Sequence, residues 1–310
     1  MKIKIFFSLI FIVIAILLLS RPDTKEGQPS LKNTNEGDIT DFVNSLPIVD
    51  HHAHLWPTTK TENDAYIDSL VATAKKAGVA KIMLGLHARH LPQRPPIYSA
   101  EHDTWTMEAH DKYPDMIVPM INGFDPNNDN SITYVENLLQ TKKWAGIGEL
   151  DLRNKPKQTE TPANTANMME IYKLAAKYNV PVIFHYDDCY KTECRNGRSE
   201  LLDAFSKNPN TTFIFGHACP ADLMAKFNNL YCEYEWPNGN IPKQLTDRVL
   251  LGTDIQSPDL AVHNDGKEIG TSYEESIKIL RSRLVPLGKE AAENIAYKTS
   301  EKIFHYTLNK

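Results

Sequence analysis

Positive charge is in short supply. The chain's 310 residues carry 34 Lys and Arg against 39 Asp and Glu, a net charge of −5, so the basic excess with which nucleic-acid binders meet phosphate is missing. That balance argues against a nucleic-acid partner. Cysteine is scarce as well, with four residues, Cys189, Cys194, Cys219 and Cys232. They are compatible with disulfides in an exported protein, and Cys189 and Cys194, which share one loop, are the best-placed pair. No internal repeat larger than a strand-plus-helix unit is present. Long apolar runs are absent save one, Ile5 to Leu19, broken only by Ser8 and preceded by Lys2 and Lys4. It is shorter than the roughly 20 residues that a spanning helix needs and at the long end for a signal-peptide core. No Ala-x-Ala site and no lipid-attachment cysteine follow it, which favours an uncleaved anchor over a cleaved signal. Either implies export, with the N-terminus inside and the rest outside.

Three segments follow from this. Residues 1–20 are the signal or membrane anchor, and residues 21–40, rich in Lys, Asn, Thr, Gly, Pro and Glu, are a flexible linker. Residues 41–310 are long enough for one barrel-sized domain and leave little for a second.

What that domain does contain is a recurring design: an apolar, strand-like run that ends in an acid/base or metal-competent residue. The first is Leu46-Pro47-Ile48-Val49-Asp50, leading into His51, His52, Ala53 and His54. Residues two apart on a strand share a face, so Asp50, His52 and His54 should point together and His51 the other way. Two imidazoles on one face suit a metal ion. The design returns at Trp144 to Glu149, Val180 to His185, Thr212 to His217 and Val249 to Asp254. Runs with so few polar residues are expected of parallel strands buried on both faces.

Helical patterns lie between them, from Glu62 to Ala77 with Gly78 as the stop, and from Thr165 to Tyr178 with Asn179 as the stop. Alternation of strand and helix predicts a parallel sheet with right-handed crossovers. Lys81 to Leu86, Met116 to Ile121 and Leu230 to Glu235 supply the remaining strands. His54, Glu149, His185, His217 and Asp254 then end the first, fourth, fifth, sixth and eighth strands. The interval from His217 to Asp254 is tight for two units, so the helices after the sixth and seventh strands should be short. An open sheet would spread these residues in a line, whereas a (β/α)8 TIM barrel, of the α/β class, gathers them at one mouth.

At these residues the chain resembles the amidohydrolase superfamily. The pattern His52-x-His54 with His185, His217 and Asp254 resembles its metal-ligand set. Asp50-His51-His52-Ala53-His54, Phe215-Gly216-His217 and Leu251-Gly252-Thr253-Asp254 are most similar to the amidohydrolase-related branch of metal-dependent hydrolases and some decarboxylases. The stretch Glu293 to Phe304 resembles the closing helix of that branch. The resemblance spans about Pro47 to Phe304 and implies a barrel enzyme acting on an amide, lactone or ester of a small molecule. One departure stands out: Glu149 occupies the fourth-strand position where two-metal members often carry a carboxylated lysine. In this it looks like the TatD-type deoxyribonucleases, so Glu149 either bridges a second metal or orients a ligand imidazole. A decarboxylase and a phosphodiesterase are the alternative readings.

The chemistry follows from the donors themselves. Neutral imidazoles with a carboxylate suit a divalent ion, zinc first and manganese second, in one or two copies. Such an ion lowers the pKa of water from about 15.7 to roughly 7. Asp254 is placed to take the water proton and pass it to the leaving group, while His217 polarises the substrate carbonyl or joins a second metal. His87 and His90 follow the second strand and are candidates to line the mouth; Arg153, Asp187 and Asp188 follow the fourth and fifth. Arg153 is the candidate clamp for a substrate carboxylate. His102, His110, His263 and His305 have no strand-end context. Oligomeric state is not legible.

Overall fold

Each expected strand forms and pairs in parallel with the next. The computed structural model describes residues 34–54, 59–86, 98–155, 157–187, 197–235, 241, 243–255, 263–264, 267–268 and 272–308. The strands are β1 (Ile48–Ala53), β2 (Val79–Leu84), β3 (Ile117–Ile121), β4 (Gly146–Asn154) with its short partner β5 (Thr159–Glu160), β6 (Val182–Tyr186), β7 (Phe213–Phe215), β8 (Leu230–Glu235) and β9 (Val249–Gly252). Apart from β5 they run in that order round the sheet as eight parallel neighbours. The last returns to the first, because Ala53 and Ile255 form a parallel bridge and His54 N donates to Ile255 O at 2.7 Å. The result is a nearly closed (β/α)8 barrel, as the strand-helix alternation predicts.

Helices α1 (Thr34–Ser45), α2 (Lys60–Lys76), α3 (Ala100–Lys112), α4 (Asn130–Gln140), α5 (Ala166–Tyr178), α6 (Arg198–Lys207) and α7 (Ala221–Lys226) fill the sequence up to β8. A 3-10 turn, Lys243–Arg248, precedes β9, and a small hairpin, β10 (His263–Asn264) with β11 (Lys267–Glu268), follows it. The chain closes with α8 (Tyr273–Leu284), a 3-10 turn Val285–Leu287, α9 (Lys289–Glu293), a π-helical turn Asn294–Lys298 and α10 (Thr299–Phe304). The tight interval before β9 is met as expected, by a six-residue α7 and a six-residue 3-10 turn.

Local chemistry sets the helix ends. Thr59 caps α2 by accepting from Glu62 N, and Gly78, at φ 73°, takes the left-handed backbone beyond its last turn. Thr165 accepts from Met168 N at the start of α5, and Asn179 ends it in the left-handed region. The strands bury both faces: β1, β6, β7 and β9 have every residue buried. Burying a Val, Leu, Ile or Phe side chain is worth about 1.5–3 kcal/mol each, which is what holds these short strands in place.

The structure departs from the sequence reading in two places. Residues 34–40, expected within the linker, belong to α1, whose Val43 is buried in the core. The fourth strand does not stop at Glu149: β4 runs on to Asn154 because β5 pairs antiparallel to it, Arg153 opposite Glu160 and Asn154 opposite Thr159. Residues 37–310 form one compact unit; of the other unit, Met1–Glu36, only residues 34–36 are described. The apolar run Ile5 to Leu19, most of the linker, His87, His90, Asp188, Cys189 and Cys194 lie outside the described residues. Among the described residues, no helix is long and apolar enough to cross a membrane. Cys219 and Cys232 form a disulfide that ties the loop after β7 to β8.

Candidate metal centre

Five strands, β1, β4, β6, β7 and β9, bring polar residues on or just beyond them to one mouth. His52 and His54, at the end of β1, place their Nε2 atoms 2.6 Å apart. Oε2 of Glu149 lies 3.3 Å from each of them, and Oδ1 of Asp254 lies 3.6 Å from His52 Nε2 and 3.8 Å from His54 Nε2. The other oxygen of Glu149, Oε1, is 2.8 Å from His217 Nε2 and 3.3 Å from His185 Nδ1. One carboxylate thus faces two imidazole pairs, one with each oxygen. The sequence predicts that these residues gather at one mouth, and they do. They form three adjoining donor groups that share residues: His52, His54 and Glu149; Glu149, His185 and His217; His52, His217 and Asp254.

These residues fit divalent ions. Ligands about 2.0–2.1 Å from a tetrahedral ion sit about 3.3 Å from one another, the spacing of Glu149 Oε2 from both β1 histidines. Charge points the same way. Glu149, Glu233 and Asp254 are buried carboxylates, and no Lys or Arg lies within ion-pair distance of them among the described residues. Burial pulls the pKa of His52 down, but Glu233, Glu149 and Asp254 outweigh it and hold the imidazole well above the usual histidine range. Burial pushes Glu149 up, while His52 and His217 bring it well below the usual carboxylate range. In the protein alone a proton balances this negative pocket, and a metal cation would balance it with more charge.

Neighbouring groups fix which nitrogen of each ring faces the centre. Glu233, on β8, holds His52 Nδ1 through its Oε2 at 2.6 Å. His54 Nδ1 is 2.8 Å from Gly85 O, and His185 Nε2 is 3.0 Å from Asp187 Oδ1. Partners of this kind orient metal-binding imidazoles and raise their basicity. Room for Glu233 comes from Gly252, where a Cβ would sit 1.5 Å from Glu233 Oε1. His217 and Asp254 lie just beyond their strands, which end at Phe215 and Gly252. Both adopt left-handed backbone, φ 62° and 50°, a conformation costing on the order of 1 kcal/mol for a non-glycine residue and common where function holds it.

Asp50 does not join the cluster with His52 and His54, because the pairing of β1 with β2 shifts register between Asp50 and Ala53. Its carboxylate instead ties the first strand to the last. It accepts from His52 N (3.2 Å), Thr253 N (3.0 Å), Thr253 Oγ1 (2.7 Å) and Tyr273 OH (2.8 Å). His51 points away from the centre as expected, its ring 5.3 Å from that of Phe304.

Arg153 lies within β4 rather than after it, and its guanidinium is engaged by Glu200 (2.7 Å) and Tyr186 OH (2.9 Å). Its expected place as a substrate clamp is therefore taken by an intramolecular pair. The expected substrate contact His87 lies outside the described residues. His102 and His110 fall in α3 and His305 ends α10, and none of the three belongs to the donor groups. Sequence reasoning missed Glu233, although the signal was present: an acidic residue inside the buried run Leu230 to Tyr234 repeats the strand-end design. It also missed Lys157, whose Nζ lies 2.9 Å from both oxygens of Asp151.

A (β/α)8 barrel that gathers histidines and carboxylates at one mouth defines a protein suited to hold divalent ions there. Residues 49–230 match the family described as TatD related DNase, so the chain belongs to that family. No curated protein matches the sequence. Solved structures share the fold at low identity. A 4-oxalomesaconate hydratase from Rhodopseudomonas palustris is 14% identical with a TM-score of 0.59, covering 83% of this chain and 95% of its own. A dihydroorotase from Campylobacter jejuni is 12% identical with a TM-score of 0.57, covering 85% of each chain. A dihydroxybenzoic acid decarboxylase from Polaromonas, solved with bound manganese, is 12% identical with a TM-score of 0.54, covering 84% of this chain and 97% of its own. The family and these neighbours are enzymes.

Proposed function

We propose that the protein is a two-metal hydrolase that cleaves an amide, lactone or ester of a small molecule. The observation that carries this reading is the pair of oxygens of Glu149, each turned to a different histidine pair. His52, His54 and Asp254 would hold one ion, His185 and His217 the other, and Glu149 both. Zinc is the first expectation and manganese the second. Bound there, the ions would acidify water and polarise the bond to be cleaved. Asp254 Oδ1, beside both β1 imidazoles, accepts the water proton and returns it to the leaving group. Glu233, Gly85 and Asp187 keep the three imidazoles aimed. Decarboxylation is less well supported, since releasing carbon dioxide has no need of a shared carboxylate between two ions.

Phosphodiester cleavage is the second reading, supported by the family match and by the suitability of two-metal sites for in-line displacement at phosphorus. The chain's net charge of −5 favours a small phosphodiester over a polymer. An exported location, through residues 5–19, is proposed from the sequence alone. Metal analysis combined with turnover of amide, lactone, carboxylated aromatic and phosphodiester substrates tests the proposal. Carbon dioxide release without hydrolysis, or binding of a single ion at saturation, would overturn it.

A further inference from the structure

One cation is built into the mouth beside the proposed centre. The hairpin of β4 and β5 ends in a turn knitted by its own hydrogen bonds. Lys157 N donates to Asn154 O and to Asn154 Oδ1, each at 3.1 Å, and Asn154 N donates to Thr159 Oγ1 at 2.9 Å. The turn sends the Lys157 side chain back onto Asp151, where Nζ reaches both carboxylate oxygens at 2.9 Å. Asn154 Nδ2 steadies the same carboxylate at 2.8 Å. The two charged side chains are 11% and 1% exposed. Asp151 stands two residues beyond Glu149 on β4 and pairs in register with His185 on β6. Through Asp151 the ammonium is therefore held on β4 beyond Glu149, beside the strand that carries His185.

A buried ion pair is a weak source of stability, because the cost of removing two charges from water offsets most of their attraction. Its placement here calls for another reason. An ammonium has three N–H donors; Asp151 takes two, and among the described residues it is the only acceptor Lys157 reaches with Nζ. The third donor is left for a ligand oxygen.

We propose that Lys157, oriented by Asp151, is a specificity-determining contact for an anionic oxygen group, carboxylate or phosphoryl, carried by the substrate next to the bond that is cleaved. This deepens the proposed hydrolase reading and rests on it for the reacting bond. The test is calorimetric titration of the metal-loaded full chain with inorganic phosphate and, separately, acetate, with metal content measured on the same samples. At least one anion binds the unaltered protein. Lys157→Met weakens that binding about tenfold or more, as loss of a charge-assisted hydrogen bond implies, while Lys157→Arg largely retains it. The double variant D151N/K157M leaves no lone buried charge, which keeps the test open if the single variant does not fold, and it loses affinity equally. Loss for phosphate alone assigns a phosphoryl group, and loss for acetate alone a carboxylate. Unchanged affinity for both anions with metal retained, or no anion binding by the unaltered protein, overturns the proposal. Failure of the protein to take up metal appears in the metal analysis alone and counts against the hydrolase reading instead.

Discussion

Glu233 Oε2 sits 2.6 Å from Nδ1 of His52, and the contact decides which nitrogen of that ring is turned to the centre. Replacing Glu233 with Gln keeps the shape but removes the charge that makes the imidazole a strong donor. Loss of such a partner typically lowers metal affinity about 10- to 100-fold. Competition with a coloured chelator should show that drop in Glu233→Gln with the fold intact by circular dichroism. Unaltered affinity would mean that Glu233 is only filling the space left by Gly252.

The two-sided geometry of Glu149 makes a stoichiometric prediction. With each oxygen facing a separate histidine pair, Glu149→Gln should lower bound metal from two ions per chain towards one, and turnover should fall with it. Metal analysis after dialysis against limiting free ion reads this directly. Two tightly held ions in the Gln variant would assign Glu149 an orienting role.

Much of this was readable from the chain because the barrel makes it so. Strands buried on both faces are apolar throughout, so a His or Asp at the end of such a run announces itself, as at His185 and Asp254. What escaped were features decided by pairing rather than pattern. β4 overran its expected end because β5 supplied a partner for Arg153 and Asn154, and alternation along β1 broke at a register shift that no periodicity marks. Arg153 had the chemistry of a clamp, but Glu200, far along the sequence, claims it. Lys157 was hidden by its loop, where a lysine ordinarily points to water.

His51 offers a test of the scaffold independent of catalysis. Burial pulls its pKa from 6.5 down to about 3, and neither ring nitrogen has a hydrogen-bond partner among the described residues. Below pH 6.5 the unfolded chain binds a proton that the folded chain refuses, so this residue makes stability fall as the pH drops towards 3. Asp50 and Asp103 act oppositely: burial raises each from 3.8 to about 6, so between those values the folded chain keeps protons that the unfolded chain releases. Comparing His51→Leu with the unaltered protein isolates the histidine. With chelator present, the variant should gain relative stability below pH 6.5 by about 1.4 kcal/mol per pH unit, measured by urea unfolding. A difference that stays flat from pH 7 to 4.5 would show that His51 titrates normally.

Metal binding and proton transfer separate at His52 and Asp254. His52 Nε2 lies within reach of His54, Glu149 and Asp254 together, and it has no proposed role except as a ligand. In His52→Ala, therefore, metal content and turnover should fall in parallel. Asp254 is proposed to do two things, as a ligand and as the base, and its Oδ1 lies 3.6 Å from His52 Nε2. Asp254→Asn keeps the shape and one oxygen donor but cannot accept the water proton. That variant should retain part of its metal while turnover drops about a hundredfold to ten-thousandfold, the usual worth of general-base assistance. Metal analysis beside steady-state kinetics on both variants distinguishes the two roles. If Asp254→Asn turns over at near-normal rate with metal bound, the proton must travel through another group in reach of the centre, and Glu149 and His217 become the next residues to replace.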